Sequence, residues 1–241
     1  MGNGFTFGNH SAADFNMRVE KLPKQNGPKR KRKTVSVAGR NGDLHFDEDS
    51  FENYVQPYEC YFHGDKPTPE MAHAIKEWLL SSGVYQRLSD AYDPNHFRLA
   101  TFVGPINIDN ILSEYGRCII NFDCAPQSFL LDGELTFSFT QSAELINPTA
   151  FFAKPIITVY GTGPGVLTVG DATVQIKALS DQITLDCDIQ NAYRQVGDAA
   201  IENKNSYIYA PDFPELASGS NTISWTGAIT KVEIIPRWWT V

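Results

Sequence analysis

Hydrophobic and polar residues alternate along most of this chain, and a spacing of two residues predicts β-strands. In QPYECYFHG, the side chains of Tyr58, Cys60 and Phe62 fall on one face of the predicted strand. The stretch GRCIINFDC alternates in the same way. We expect its strand to end at Pro126, because proline has no backbone N–H to give to a neighbouring strand.

Turn residues separate further strands. The sequence Asn41-Gly42-Asp43 is typical of a turn and follows the alternating stretch KTVSVAG, residues 33–39. Asp93-Pro94-Asn95 predicts another turn, and the strand after it is predicted to run through Phe97, Leu99 and Thr101.

One segment has helical spacing instead, and it predicts an α-helix over about residues 69–82. Thr68 is a suitable N-cap and Pro69 suits the first helical position. Gly83 stands where a left-handed C-cap is expected. The apolar residues form one stripe that we expect to pack against a sheet: Met71, Ile75, Trp78 and Leu79.

No helical spacing appears after about residue 132. Short alternating stretches are separated there by Gly, Pro, Asn and Asp, which predicts an antiparallel β-sandwich. We therefore predict two domains, residues 1–132 with one helix and residues 133–241. The glycine-rich stretch GTGPGVLTVG predicts a hairpin tip, since it lacks the Lys-Ser/Thr ending and the following helix of a phosphate-binding loop.

Charge is distributed unevenly along the chain. Residues 1–40 carry a net charge of +7, so the remainder carries −15 of the total −8. An acidic body argues against nonspecific nucleic-acid binding, which requires broad neutralisation of phosphates. The basic residues are concentrated in the run Lys29, Arg30, Lys31, Arg32 and Lys33.

Three interpretations of this run remain open. It can be a solvated strand edge, where lysine also blocks edge-to-edge pairing. It can bind an acidic protein partner, or it can contact nucleic acid through weak, salt-dependent attraction. We treat it, with the nearby Arg40, as a candidate interface.

Candidate chemistry is sparse. His45 with Asp47, and His63 with Asp65, form two His-x-Asp pairs, but a catalytic zinc site needs three protein ligands. We expect the four cysteines to be small buried residues in a reducing cytosol, with a metal site or a disulfide as the alternative. We predict no cofactor, no metal and no enzymatic activity, because no acid–base pair or nucleophile motif stands out.

Aromatic residues are frequent in the predicted sandwich. They could stack on sugars, or they could belong to the core: Tyr207, Tyr209, Trp225, Trp238 and Trp239. Trp225 shares a face with Ile223, so we expect it to point inward. Trp238 and Trp239 must point to opposite faces if extended, which predicts that one of them lies outside the core at a partner surface.

Neither a membrane span nor a secretion signal is expected. No apolar stretch approaches the roughly 18 residues that a spanning helix needs. The first residues lack the basic start and apolar centre of a signal peptide.

Four motifs in order resemble the distal tail protein family of long-tailed phages (siphophages): VSVAGRNGDL, IKEWLLSSGVYQRLSDAYDPNHFRLA, NFDCAPQSF and DFPELASGSNTISWTGAITKVEIIPRWW. Together they cover most of the chain. Ala38 stands where the family often has proline.

The resemblance implies a structural role in the virion. Its N-terminal domain with one helix would form a hexameric ring, and a galectin-like β-sandwich would follow. The ring would join the tail tube to tip or receptor-binding proteins, with genomic DNA passing through it. Assembly would take place in the bacterial cytoplasm. The alternatives are a carbohydrate-binding module that recognises host-surface glycans and, last, a glycan hydrolase.

Overall fold

The computed structural model describes residues 4–62, 69–112, 115–197 and 200–241. The predicted N-cap Thr68 and the pair His63 and Asp65 lie outside these residues. The chain divides into two compact units, residues 1–128 with Val241 (unit 1) and residues 129–240 (unit 2). The division falls inside a strand, whereas the sequence predicted a boundary after residue 132.

Unit 1 is built mainly from strands, which confirms the predicted fold class. Its elements are β1 Phe5–Phe7, β2 His10–Ser11, β3 Met17–Val19, β4 Arg30–Val35, β5 Leu44–Phe51, β6 Tyr54–Phe62, α1 Pro69–Leu80, β7 Gln86–Asp90, β8 His96–Phe102, β9 Ile108–Leu112 and β10 Tyr115–Leu130.

The main sheet of unit 1 has the strand order β2-β1-β7-β8-β10-β6-β3, and β9 also pairs with β10. The strand β10 continues through Pro126 to Leu130, so the predicted end at Pro126 was wrong. The pairing of β10 with β6 stops at Cys124 opposite Tyr54. Pro126 therefore lies beyond that ladder, where its missing N–H removes no bond to β6.

Helix α1 covers one face of this core with Ile75, Trp78 and Leu79, as the apolar stripe predicts. The Trp78 indole N–H donates to the Phe7 carbonyl oxygen at 3.0 Å. The helix ends at Leu80, two residues earlier than predicted. Gly83 does not adopt a left-handed conformation, so the predicted C-cap was wrong. The Ser81 hydroxyl caps the end instead by donating to the Trp78 carbonyl oxygen at 3.1 Å.

Unit 2 contains one antiparallel sheet with long, bent strands. The strands of unit 2 are β11 Phe137–Phe139, β12 Ala143–Asn147, β13 Ile156–Val169, β14 Ala172–Asp186, β15 Asn191–Val196, β16 Ala200–Asn203, β17 Ile208–Tyr209, β18 Gly219–Ile235 and β19 Trp239–Thr240, and all but β19 belong to this sheet. In the described residues the sheet order is β11-β18-β13-β14-β15-β16, with β12 on β18 and β17 on β14.

The glycine-rich stretch of unit 2 is not a hairpin tip. Strand β13 runs through it, and the register shifts between Gly163 and Gly165. The hairpin tip lies at Gly170-Asp171, after Val169 pairs with Ala172. A side chain at the shift would force a neighbour to move, because a Cβ at Gly165 would lie 2.7 Å from Ile229 Cγ1.

The long strands replace the short ones that the sequence predicted. A bulge carries the same glycine punctuation as a turn, so the sequence pattern could not distinguish them. Strand β18 pairs with β12 at one end and with β11 at the other. Inward residues from both ends form one core, including Leu167, Val174, Ile183 and Val232, each fully buried.

Candidate assembly surface

Strands β4 and β5 form a separate two-stranded sheet, and residues 29–52 that contain them are called the charged arm here. The register places Arg32 opposite Asp47. The Glu52 N–H donates to the Lys29 carbonyl oxygen at 2.8 Å, so the two ends of the arm lie side by side. The turn that joins the strands includes Gly42, whose φ of +79° suits glycine.

Four of the five residues of the basic run, Arg30 to Lys33, lie within strand β4. The sequence predicted a strand over residues 33–39, but the strand spans Arg30–Val35 and the run occupies its first positions. The physical reason lies in the partner strand. On strand β5, Asp47 lies opposite Arg32 and forms an ion pair with Arg30, and cross-strand pairs of opposite charge favour pairing.

Charges are separated between the two strands of the arm. The arm contains six Lys or Arg, all before residue 41, and five Asp or Glu, all after residue 42. Arg30 Nη1 lies 2.9 Å from Asp47 Oδ2, and the Arg30 guanidinium lies 4.8 Å from the centre of the Phe51 ring. An acidic neighbour for the basic run is therefore present in the same chain.

The arm is exposed and contributes no residue to either described core. The side chains of Lys31, Arg32, Lys33 and Arg40 are exposed, and so is Phe46, at 56%. A two-stranded hairpin without a packed face is marginally stable in water. The arm therefore remains a candidate segment for contact with a partner.

The two tryptophans near the end of the chain have different environments. Trp238 is 3% exposed and belongs to the core of unit 2, so its side chain is not available as a surface. Trp239 is half-buried. Its ring stacks on Phe151 at 4.4 Å, and its indole N–H donates to the Phe152 carbonyl oxygen at 2.8 Å. Trp225 is also half-buried and packs against the core.

The His-x-Asp pair on β5 is engaged in other contacts. His45 Nδ1 lies 3.2 Å from Thr34 Oγ1, and Asp47 is ion-paired with Arg30. In the described part of the chain, no group of three His, Cys, Asp or Glu residues is arranged to hold a metal ion. Within the same residues, no helix has both the length and the apolar character to cross a membrane.

A groove of about 530 Å³ lies beside strands β3, β6 and β10 in unit 1. Two ion pairs line it: Arg117 Nη2 lies 2.6 Å from Glu20 Oε1, and Lys21 Nζ lies 3.0 Å from Glu59 Oε2. Each charge in these pairs is balanced, so the groove presents no excess of either sign to a ligand.

A buried ionic cluster in unit 1 was missed by the sequence analysis. Arg98 Nη1 lies 3.3 Å from Asp90 Oδ2, and the Tyr58 hydroxyl donates to the same oxygen at 2.6 Å. Burial and the charge of Asp90 raise the pKa of Tyr58, which keeps its hydroxyl protonated as a donor.

The predicted face of strand β8 explains why this arginine was missed. Ala100 and Phe102 belong to the core of unit 1, and Arg98 lies on the same face of the strand. Leu99 and Thr101 lie on the half-buried side of the strand. The sequence did contain a signal for the buried arginine: Arg98, Ala100 and Phe102 are spaced two residues apart and therefore share one face of the strand.

Comparisons with known proteins agree with this architecture. No sequence-family profile matches the chain, and no curated protein matches it. Among solved structures, it is similar to the Dit protein of phage SPP1, described as a paradigm of hub adsorption apparatus in phages that infect Gram-positive bacteria. The TM-score is 0.73 at 12% identity, and the match covers 99% of each chain. At this identity the similarity shows a shared fold.

Proposed function

We propose that this chain is a structural hub protein of a phage tail tip, where it joins the tail tube to the adsorption proteins. The observation that carries the proposal is the fold shared with a hub protein over 99% of both chains. Because the match extends over nearly the whole length, it includes both unit 1 and unit 2 of this chain. The sequence motifs resemble the same class of protein independently.

A hub acts by contacting copies of itself and its neighbours, and the charged arm is suited to such contacts. Its strands carry unlike charges on opposite edges. When one arm is placed beside the next in the same orientation, the acidic β5 edge meets the basic β4 edge. This head-to-tail contact repeats, and it closes into a ring when the rotation between copies permits.

The finer features follow from the family resemblance. We propose a hexameric ring, with unit 2 as its galectin-like sandwich. Genomic DNA would pass through the ring, and assembly would occur in the host cytoplasm before the protein resides in the virion tail tip.

The association state of the purified chain tests this proposal. Light scattering across a concentration range should show a mass several times that of one 26.8 kDa chain, and negative-stain images should show rings. A chain that stays monomeric alone should be recruited to purified tail tubes. Failure of both self-association and tube binding would contradict the proposal.

Deleting the charged arm tests whether the arm makes the contact between copies of the chain. Because the Glu52 N–H bonds to the Lys29 carbonyl oxygen, residues 30–51 can be replaced by a two-glycine turn. The shortened chain should keep the Tm of the full chain and lose self-association. Unchanged association would assign the contact to another surface.

A carbohydrate-binding role is the second candidate, and two exposed aromatic rings of unit 2 favour it. Tyr207 is 41% exposed and Tyr209 is 58% exposed. Such rings can stack on sugar faces. Glycan-array binding by the full chain that disappears on replacing both tyrosines with alanine would support this role. Absence of binding to host-surface glycans would exclude it.

A further inference from the structure

Cys60 and Cys118 lie directly opposite each other on neighbouring strands of unit 1. The register of β6 and β10 pairs these two residues. Both are buried, at 1% and 4% exposure. The Cys60 thiol donates to the Tyr58 carbonyl oxygen at 3.6 Å. Met17 is also close, with its Sδ 3.8 Å from Cys118 Sγ. The core therefore holds two thiols at paired strand positions, with a thioether beside one of them.

The backbone geometry suits a covalent bond between the two cysteines. Residues directly opposite in an antiparallel pair have Cα atoms about 4.5 or 5.5 Å apart, depending on the hydrogen-bonding position. Both values fall in the range of about 4.4–6.8 Å that disulfides adopt. The register therefore brings the two Cα atoms within the separation that a disulfide requires.

The environment distinguishes a disulfide from a soft-metal site. Soft metals such as Cu(I) select thiolate and thioether ligands, but thiolates bring negative charge into the core. The neighbouring Cys118 thiol, together with burial, raises the pKa of the Cys60 thiol and disfavours its thiolate. A disulfide is neutral and apolar, so it matches these surroundings.

We propose that Cys60 and Cys118 form a cross-strand disulfide when the folded protein leaves a reducing compartment. Oxidised glutathione, a small-molecule disulfide, is a sufficient oxidant. The two thiols lose two protons and two electrons and form one S–S bond. The oxidant accepts them and leaves as two molecules of reduced glutathione. The proposal is independent of the proposed function.

The bond would stabilise unit 1 by restricting its unfolded state. It closes a loop that contains α1, β7, β8 and β9, so the unfolded chain would lose conformational freedom. Because both thiols are buried, the exchange requires transient opening of the sheet. Low urea concentrations should therefore accelerate the reaction, whereas exposed cysteines would react at the same rate with or without urea.

The test treats the full chain with oxidised glutathione and then alkylates the remaining thiols after denaturation. Peptide mapping without reduction should show Cys60 joined to Cys118, with Cys124 and Cys187 alkylated. The Tm should rise and return to its reduced value after treatment with dithiothreitol. This reversible shift should be absent from the Cys60→Ala, Cys118→Ala double variant.

Two single variants serve as matched controls. Cys124→Ala and Cys187→Ala each remove a buried cysteine outside the pair and should retain both the cross-link and the reversible shift. The proposal is overturned by four alkylated cysteines after the folded chain has been treated with oxidised glutathione in low urea. A cross-link between other cysteines, or a stable mixed disulfide at Cys60, would also overturn it.

Discussion

Arg237 and Asp186 form a two-pronged ion pair in unit 2. Nη1 of the guanidinium lies 2.8 Å from Oδ1 of the carboxylate, and Nη2 lies 3.0 Å from Oδ2. The carboxylate is mostly buried, with 12% of its side chain exposed. Arg237 also donates its backbone N–H to the Gly133 carbonyl oxygen at 2.8 Å, so one residue fixes two segments of unit 2.

The first prediction concerns this pair. Arg237→Gln should lower the free energy of unfolding by about 2–3 kcal/mol, because it leaves a largely buried carboxylate without its charged partner. Chemical denaturation measures the change. Arg194→Gln is the control, since Arg194 pairs with the exposed Asp181 and should cost no more than about 1 kcal/mol. Equal losses in both variants would contradict the role of burial.

The second prediction is the pH dependence of the same pair. Burial alone would raise the pKa of Asp186, but the hydrogen bonds and charge of Arg237 outweigh it and hold the pKa below 3.8. The pair therefore stabilises the folded state above pH 3.8, and this contribution is lost as the pH falls through the folded pKa. The Tm difference between wild type and Arg237→Gln should shrink in that window. A constant difference would contradict the assignment.

The third prediction concerns the charged arm. Lys31→Ser with Lys33→Ser should weaken self-association or tail binding, and the loss should be largest at low salt because exposed charges are screened. The Tm should stay unchanged, since both side chains are exposed. Lys24→Ser with Lys76→Ser is the matched control with two exposed lysines outside the arm. Sedimentation at several salt concentrations would measure the association of both double variants. Equal effects in the two variants would show that the arm is a solvated strand edge and not an interface.

The fourth prediction concerns the bulge in unit 2. Gly227 has a φ of +79°, and a Cβ there would lie 2.6 Å from the Pro164 carbonyl oxygen. Gly227→Ala should therefore lower the free energy of unfolding by about 1–3 kcal/mol, through backbone strain and the close approach. Gly219→Ala controls for backbone strain, because Gly219 has a φ of +83° with nothing within 4 Å of a Cβ. A smaller loss in Gly227→Ala than in Gly219→Ala, measured by denaturation, would contradict the close contact.

The fifth prediction separates the two faces of α1. Leu79 is fully buried, whereas its neighbour Leu80 is 54% exposed. Leu79→Ala should lower the free energy of unfolding by about 2–5 kcal/mol, because it removes core contacts and leaves a cavity. Leu80→Ala should change it by less than about 0.5 kcal/mol. Similar thermal shifts in the two variants would show that α1 does not pack as described.

The sequence by itself determined the features that depend on local periodicity. The alternation of Tyr58, Cys60 and Phe62 identified an inward strand face, and the stripe containing Ile75 and Trp78 identified the helix and its buried side. These predictions succeeded because the direction of a side chain follows from its position in a repeating backbone. The mainly β fold class followed from the same analysis, because a two-residue spacing of hydrophobic side chains predominates along the chain.

Only the tertiary structure decided which strands pair and in what register. Periodicity cannot show that Cys60 lies opposite Cys118, that Arg32 lies opposite Asp47, or that Arg98 is buried against Asp90. Strand pairing joins residues far apart in the chain, and a shift of one residue reverses the face of every side chain. The candidate interface and the cysteine pair therefore depend on contacts that no local pattern encodes.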